Sequence, residues 1–443
     1  MTKVLLIGNG AREHAIAEAI KRSGCDPRLY SYMKTNNPGI ASLSHDLRLG
    51  NYDDLAAICT FAKDAGIEFA IIGPEDPLQN GVVDALSEAG FPSVGPTRSL
   101  ARLETSKIFT RRLLEKYSIP GNPRFKVFDT PHAILDFLKT LEEGSVIKPD
   151  GLTGGKGVMV QGDHFSTPEE ALLLCETILK TGAPVLVEER LDGEEFSLQC
   201  FCDGKTVVAT PAVQDHKRRF EGDSGPNTGG MGSYSYPDRS LPFLIPSDIE
   251  DGVEITRKIS EALFKETGEL YKGIMYGGFM ATKEGVKLLE YNARFGDPEA
   301  MNVLPLIKSD FIEVCRAIIK GTLKDIPIAF EKKATVCKYV VPKDYGLPKD
   351  QTHEQPAASK IEVLNKNDEV KIYYSSVDKR KDGLYMTSSR AIGIVGIADT
   401  VGVAEKMAEN AISSIKGPVD HRADIGTAHV IERRIAHMKA IRG

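Results

Sequence analysis

A chain of 443 residues exceeds one ordinary hydrophobic core and implies roughly two to four domains. Its 41% hydrophobic and 27% charged content is globular in character, and 56 basic against 62 acidic side chains, net −6, give no reason to expect a nucleic acid or an anionic membrane as partner. Apolar runs such as Val4 to Ile7 and Ala70 to Ile72 fall far short of the roughly 20 residues of a membrane span, and a strand directly after Met1-Thr2-Lys3 leaves no room for a signal peptide, so a cytoplasmic location is expected.

Over the first hundred residues strand and helix signals alternate: Val4 to Ile7, a helix from about Arg12 to Arg22, a helix near Asp53 to Ala65, then Phe69 to Ile72. Alternation of this kind predicts a doubly wound parallel sheet, with ligands at the carboxyl ends of its strands. Two loops stand there, Gly8-Asn9-Gly10-Ala11-Arg12-Glu13-His14 and Gly73-Pro74-Glu75. The first has Glu13 where a dinucleotide fingerprint needs its third glycine, so it is weak evidence for NAD. Free amides and Arg12 at a helix start suit a phosphate monoester better, with a plain tight turn as the alternative.

A second unit begins near Glu104-Thr105-Ser106-Lys107, a cap-like start to an amphipathic helix through Tyr117 that Gly121-Asn122-Pro123 breaks. Between Val146 and Val160 lies a glycine-rich loop with Lys148 and Lys156 and β-branched residues on both sides. A Walker A loop would end in Gly-Lys-Ser/Thr and open a helix, whereas Gly155-Lys156-Gly157 runs into Val158-Met159-Val160, a strand signal. The segment therefore reads as a hairpin flap whose glycines admit close backbone approach to anionic oxygens. A mobile hairpin with two solvated lysines is the bland alternative. Seven cysteines, odd in number and scattered, fit reduced thiols. Beyond Lys332, strand signals at Val370 to Val377 and Arg390 to Ile397 precede a helix at Val403 to Ile415. The expected divisions are 1–103 for an N-terminal substrate-binding unit, 104–327 for a nucleotide-binding unit with a lid at about 122–191, and 328–443 for a mixed α/β unit.

Three clusters carry chemistry. Glu188-Glu189-Arg190-Leu191 and Gly193-Glu194-Glu195 place a strand end and an acidic turn beside the flap, where a carboxylate can hold ribose hydroxyls. In Leu288 to Glu299, a strand would set Glu290 and Asn292 on one face about 7 Å apart, a spacing for oxygen ligands that share magnesium ions with a triphosphate. Arg294 follows, suited to neutralising a transferring phosphoryl group. Gln214-Asp215-His216-Lys217-Arg218 and the glycine-dense Gly225 to Gly232 form the third cluster, in which His216 and Arg218 are equally compatible with an exposed loop.

Taken in order, Gly-Asn-Gly-Ala-Arg-Glu-His-Ala, Gly-Pro-Glu, Lys-Pro-Asp-Gly-Leu-Thr-Gly-Gly-Lys-Gly-Val, Gln-Asp-His-Lys-Arg, Gly-Pro-Asn-Thr-Gly-Gly-Met-Gly and Arg-Phe-Gly-Asp-Pro-Glu resemble the glycinamide ribonucleotide synthetases, the phosphoribosylamine-glycine ligases of purine biosynthesis. The resemblance is specific to about Leu306 and thinner after Lys332. It implies a central ATP-grasp domain and the ATP-dependent joining of glycine to 5-phosphoribosylamine, with Mg2+ or Mn2+ as cofactor and a monomer as the working form. It also implies that Lys107 and Lys148 meet the ATP phosphates, and that Gly151, Gly154, Gly155, Lys156 and Gly157 close over them. Glu188, Leu191 and Glu195 would surround adenine and ribose, and Glu290 and Asn292 would ligate the metal. Arg294, Asp215 and Lys217 are then the expected catalytic residues, and His216, Asp297 and Glu299 line the substrate site with Gly10 and Glu75 near the phosphoribosyl group. Ala11, where the family has a second consecutive glycine, and Thr35-Asn36-Asn37-Pro38-Gly39 depart from the pattern at the phosphoribosyl end. Another ATP-grasp carboxylate-amine ligase would share the nucleotide half and differ in acceptor.

Overall fold

The computed structural model describes residues 1–152, 157–347, 359–364 and 369–443. The first five strands form an all-parallel sheet in the order Asp46–Leu49, Arg28–Met33, Lys3–Ile7, Phe69–Ile72, Ser93–Val94. The run Val4 to Ile7 is buried on both faces, which is why it reads as continuously apolar and sits at the centre. Helices Ala11–Lys21 and Leu55–Ala65 match the expected alternation.

The central region is built from two antiparallel sheets. The larger runs Val207–Ala209, Glu194–Cys202, Gly273–Thr282, Gly285–Asn292, and the long helix Pro246–Thr267 packs Ile255, Ile259 and Leu263 among its core residues. The smaller runs Phe125–Phe128, Val185–Glu189, Ser145–Pro149, Met159–Val160, and keeps its own apolar cluster of Phe128, Ile134, Leu138, Ile147, Ala171 and Val187. The expected hairpin is present in its flanks, with Val146 opposite Val160 and Ile147 opposite Met159. Helix Lys107–Lys116 begins where Ser106 accepts a hydrogen bond from the Phe109 amide, the capping read from the sequence.

A mixed set of C-terminal strands completes the molecule. Ala334–Pro342 pairs with Ile392–Ala398 on one side and with Gly232–Ser235 on the other, so one sheet takes strands from both sides of residue 328. Val401–Ile412 covers that sheet, and the last helix, Ala428–Arg442, returns to the central region. There Arg442 donates two 2.8 Å bonds to Asp248 and one to the Thr282 carbonyl. No helix among the described residues is long and apolar enough to cross a membrane.

Candidate active site

A cleft of about 650 Å³ opens between the two central sheets and runs to the end of the parallel sheet. Its wall includes Lys107, Lys148, Glu188, Leu191, Glu195, Asp215, His216, Lys217, Glu290, Asn292, Arg294, Asp297, Glu299 and Glu75. Residues from six separate stretches of sequence therefore meet at one place.

The nucleotide end is organised by a buried ion cluster. Glu188 receives two bonds from Arg111, at 2.5 and 3.1 Å, and lies 2.7 Å from the Lys148 ammonium. Arg111 and Lys148 each also donate to the Leu289 carbonyl, which ties the small sheet to the last strand of the large one. Burial alone would raise the Glu188 carboxyl, but Arg111 and Lys148 hold it at about 2. Glu188 thus faces two cations and orients Lys148. Burial lowers the Lys148 ammonium, with Glu188 opposing. Lys107 donates to the Gly151 carbonyl at 2.7 Å, at the foot of the flap. Gly157 is half-buried, whereas Gly154, Gly155 and Lys156 lie outside the described residues.

At the middle of the cleft, Glu290 and Asn292 share the strand Gly285–Asn292, opposite Gly278 and Tyr276. The nearest cation to the Glu290 carboxylate is Lys217, at 3.8 Å, and Lys217 also lies 3.0 Å from Glu195. Burial opposes the Lys217 charge, but Glu195, Glu290 and Asp215 raise its pKa, so the ammonium persists. Burial opposes the Glu290 charge as well, and Lys217, Lys148 and Lys107 win, lowering its carboxyl. A carboxylate and a carboxamide oxygen are hard donors, the type used when a divalent cation completes its shell with phosphate oxygens, so the pair fits such an ion.

The far end holds Arg294 between two carboxylates, 2.8 Å from Glu104 and 3.2 Å from Glu75. Arg12 approaches Glu75 at 3.8 Å. Burial pushes Glu104 up against the pull of Arg294, and Arg294 and Arg12 hold Glu75 down against its own burial. Asp215 and Glu299 form an acidic corner. Glu299 accepts from Tyr276 at 2.8 Å and Ser197 at 3.1 Å, while Asp215 Oδ1 is buried without a hydrogen-bond partner among the described residues. Burial and then Glu299 drive the Asp215 carboxyl well above its usual range.

Two expected features take a different form. The Gly10 amide is not free for a phosphate, because it donates to Glu13 Oε2 at 2.5 Å and Glu13 pairs with Arg12. Glu13, which breaks the dinucleotide pattern, fills the space over Gly8 and Gly73, where an added Cβ would lie 2.4 and 2.3 Å from it. His216 is not an exposed loop residue. Its ring is buried with Nδ1 3.4 Å from Asp223, and burial holds its pKa at about 4, so it is neutral at physiological pH. Arg12, the phosphate candidate at the first helix start, lines the cleft, and so do Glu104, Arg111, Asp223, Tyr276, Arg390 and Arg434, which were not expected among its residues. Charged residues at helix positions are the commonest surface pattern, so only the tertiary pairing distinguishes Arg111.

Comparison with known proteins agrees over the whole length. Three phosphoribosylglycinamide synthetase models match: the N domain over residues 2–104, the ATP-grasp (A) domain over 105–300 and the C domain over 335–428. The phosphoribosylamine–glycine ligase of Methanosarcina barkeri is 48% identical over 441 residues, covering 100% of both chains. That of Methanocaldococcus jannaschii is 49% identical over 447 residues, covering 99% of this chain and 100% of its own. The solved phosphoribosylamine–glycine ligase of Thermotoga maritima gives a TM-score of 0.79 at 28% identity, covering 96% of this chain and 100% of that one. The biotin carboxylase domain of Hydrogenobacter thermophilus 2-oxoglutarate carboxylase, solved with MgADP, gives 0.71 at 16% identity, covering 99% of this chain and 94% of that one, a likeness of fold.

Proposed function

Because the chain belongs to the phosphoribosylglycinamide synthetase family, whose ATP-dependent ligases serve purine biosynthesis, we propose that this cleft joins glycine to 5-phosphoribosylamine through a glycyl phosphate. The products are glycinamide ribonucleotide, ADP and phosphate. The observation that carries this reading is the meeting of Lys107, Lys148 and Lys217 with Glu290, Asn292 and Arg294 in one cleft, beside a separate acidic corner.

Glu290 and Asn292 would hold Mg2+ or Mn2+, which would supply charge neutralisation at the phosphates. Lys148, fixed from behind by Glu188 and the Leu289 carbonyl, presents its ammonium to the phosphates, and Lys107 does so from the helix start. One carboxylate oxygen of glycine forms a bond to the γ-phosphorus as the bond from that phosphorus to the ADP oxygen breaks. Arg294 and Lys217 offset the negative charge on the moving phosphoryl group, and the carboxylates around each keep it charged and oriented. The amine of phosphoribosylamine then bonds to the glycyl carbonyl carbon, the carbon–oxygen bond to phosphate breaks, and Asp215 accepts the amine proton. Its Oδ1 is buried with no hydrogen-bond partner among the described residues, which leaves it open to take that proton. Gly10 and Glu75 flank the phosphoribosyl end, and His216, Asp297 and Glu299 shape the acceptor corner. Leu191 and Glu195 border the nucleoside. The small sheet borders the phosphate end and helps exclude water from the acyl phosphate.

A coupled assay of ADP release tests the reaction, with hydroxylamine added in place of the amine to trap the acyl phosphate as glycine hydroxamate. ADP release that needs glycine, and hydroxamate formation with glycine and ATP alone, are expected. ADP release independent of glycine refutes the reading. Sedimentation at micromolar protein checks the monomer.

A further inference from the structure

The acidic corner is walled by the segment Asp215 to Gly232 and by Asp297 to Glu299, and one C-terminal side chain, Arg390, bonds to both walls. Arg390 stands just before the strand Ile392–Ala398, with its backbone pinned on both sides. The Ser376 amide donates to the Arg390 carbonyl at 3.0 Å, and the Ala391 amide donates to Val340 at 2.9 Å. A side chain launched from so fixed a backbone can act as a rigid strut. Its Nη1 donates to three carbonyls, Gly229 at 2.5 Å, Asp297 at 3.0 Å and Gly230 at 3.1 Å, and its Nη2 lies 3.3 Å from Asp297 Oδ1. The guanidinium also lies over the Tyr339 ring, 4.4 Å from its centroid, and the Tyr339 hydroxyl donates to the same Asp297 oxygen.

The turn that Arg390 grips has no slack. Gly230 has φ +100, and a Cβ there would stand 2.7 Å from Asp215 Oδ1 and 2.8 Å from Pro298. Moving Gly229 or Gly230 therefore moves Asp215 on one side, while moving Asp297 moves Pro298 and Glu299 on the other. A second C-terminal hydroxyl, Tyr345, accepts from the Gly229 amide at 3.4 Å. At the nucleotide end, by contrast, Lys107, Arg111, Lys148 and Glu188 make no direct bond to Arg390 among the described residues.

We propose that Arg390 is a positioning residue for the glycine-binding corner: among the C-terminal side chains that touch it, this guanidinium bonds to both walls at once and so sets the separation of Asp215 from Asp297 and Glu299. The inference rests on the reading that this corner receives glycine. A fork of several donors is what the geometry demands, because a lysine ammonium at the same place cannot span three carbonyls and a carboxylate from one planar group. The guanidinium, paired with Asp297, also offsets part of the negative charge that Asp297 would otherwise impose on an incoming carboxylate.

The test is steady-state kinetics of Arg390→Ala, Arg390→Gln and Arg390→Lys, with Asp215→Asn as a marker of the corner itself and thermal melts to establish folding. The expected result for Arg390→Ala is a rise of about tenfold or more in KM for glycine, with KM for ATP changed less than about twofold, and partial recovery of the glycine KM on adding guanidinium at non-denaturing millimolar concentration. Arg390→Lys should fall between wild type and Arg390→Ala. If the alanine chain does not fold, Arg390→Gln gives the same comparison. Equal loss on the ATP and glycine constants, or glycine kinetics unchanged in a folded variant while Asp215→Asn is impaired, overturns the role given to Arg390. Unchanged glycine kinetics in Asp215→Asn instead overturns the reading of the corner.

Discussion

Replacing Glu188 with glutamine keeps the shape of the side chain and removes the one charge that holds Arg111 and Lys148 together. The carboxylate makes three short contacts, at 2.5, 3.1 and 2.7 Å, from a position only 3% exposed. A glutamine has a single acceptor oxygen and turns its amide hydrogens toward a cation, so two of the three contacts are lost. Charge-assisted bonds contribute about 1.5–3 kcal/mol each, and removing one partner of a buried ion pair typically costs about 3–5 kcal/mol, so a loss near 4 kcal/mol is expected. With a urea slope of about 2 kcal/mol per molar, the unfolding midpoint of the transition that includes the small sheet should fall by about 2 M. The chain has no tryptophan, so circular dichroism is the probe of choice. Released from Glu188, Lys148 should also lose its aim, and KM for ATP should rise by about tenfold. An unchanged midpoint with a raised KM would mean that the carboxylate serves the ribose and not the two cations. Unchanged values of both would refute the reasoning altogether.

Glu290→Gln should reduce turnover by about 10²–10³-fold while leaving the melting temperature nearly unchanged, because its closest charged contact is 3.8 Å away; a large drop in melting temperature would show that the carboxylate is structural. Two imidazoles, His14 and His216, are buried neutral with pKa held at about 4 by burial, against about 6.5 for an unperturbed imidazole. Their unfolded forms bind protons first as pH falls, so stability should decline from pH 6.5 down to 4 by about 3 kcal/mol for each group, and His14→Gln should flatten part of that slope in denaturant titrations. Gly230→Ala combines a left-handed φ with a 2.7 Å approach to Asp215, and should raise the KM for glycine in ADP-release assays without affecting ATP binding by calorimetry.

The repeating elements of this molecule were legible because each imposes a local pattern. Val4 to Ile7 reads as a central parallel strand since it is apolar on both faces, and Ser106 announces a helix since its hydroxyl caps it. Glu290 and Asn292 could be placed on one face by strand period alone, and they share the cleft. Arg111, Arg390 and Arg434 were not legible, because an arginine on a helix or before a strand looks solvated until a distant acceptor is brought to it. Arg434, for example, meets Glu194 and Asp223 only when the last helix folds back across some two hundred residues of chain. Glu13 misled in a different way. A missing glycine signals only that one pattern fails, whereas the reason, a carboxylate plugging the gap between two strand ends, is a three-dimensional fact.

The ladder between Gly232–Ser235 and Ala334–Pro342 bears on how this polypeptide could be divided. A cut made anywhere from 300 to 333 would strip the Gly232–Ser235 strand of one of its two neighbours and leave Ala334–Pro342 with a bare flank in the other fragment. Each piece would then present unpaired amides and carbonyls, an invitation to stick to itself. Produced together, the two fragments have complementary flanks, so this junction favours split-protein reassembly over free-standing modules.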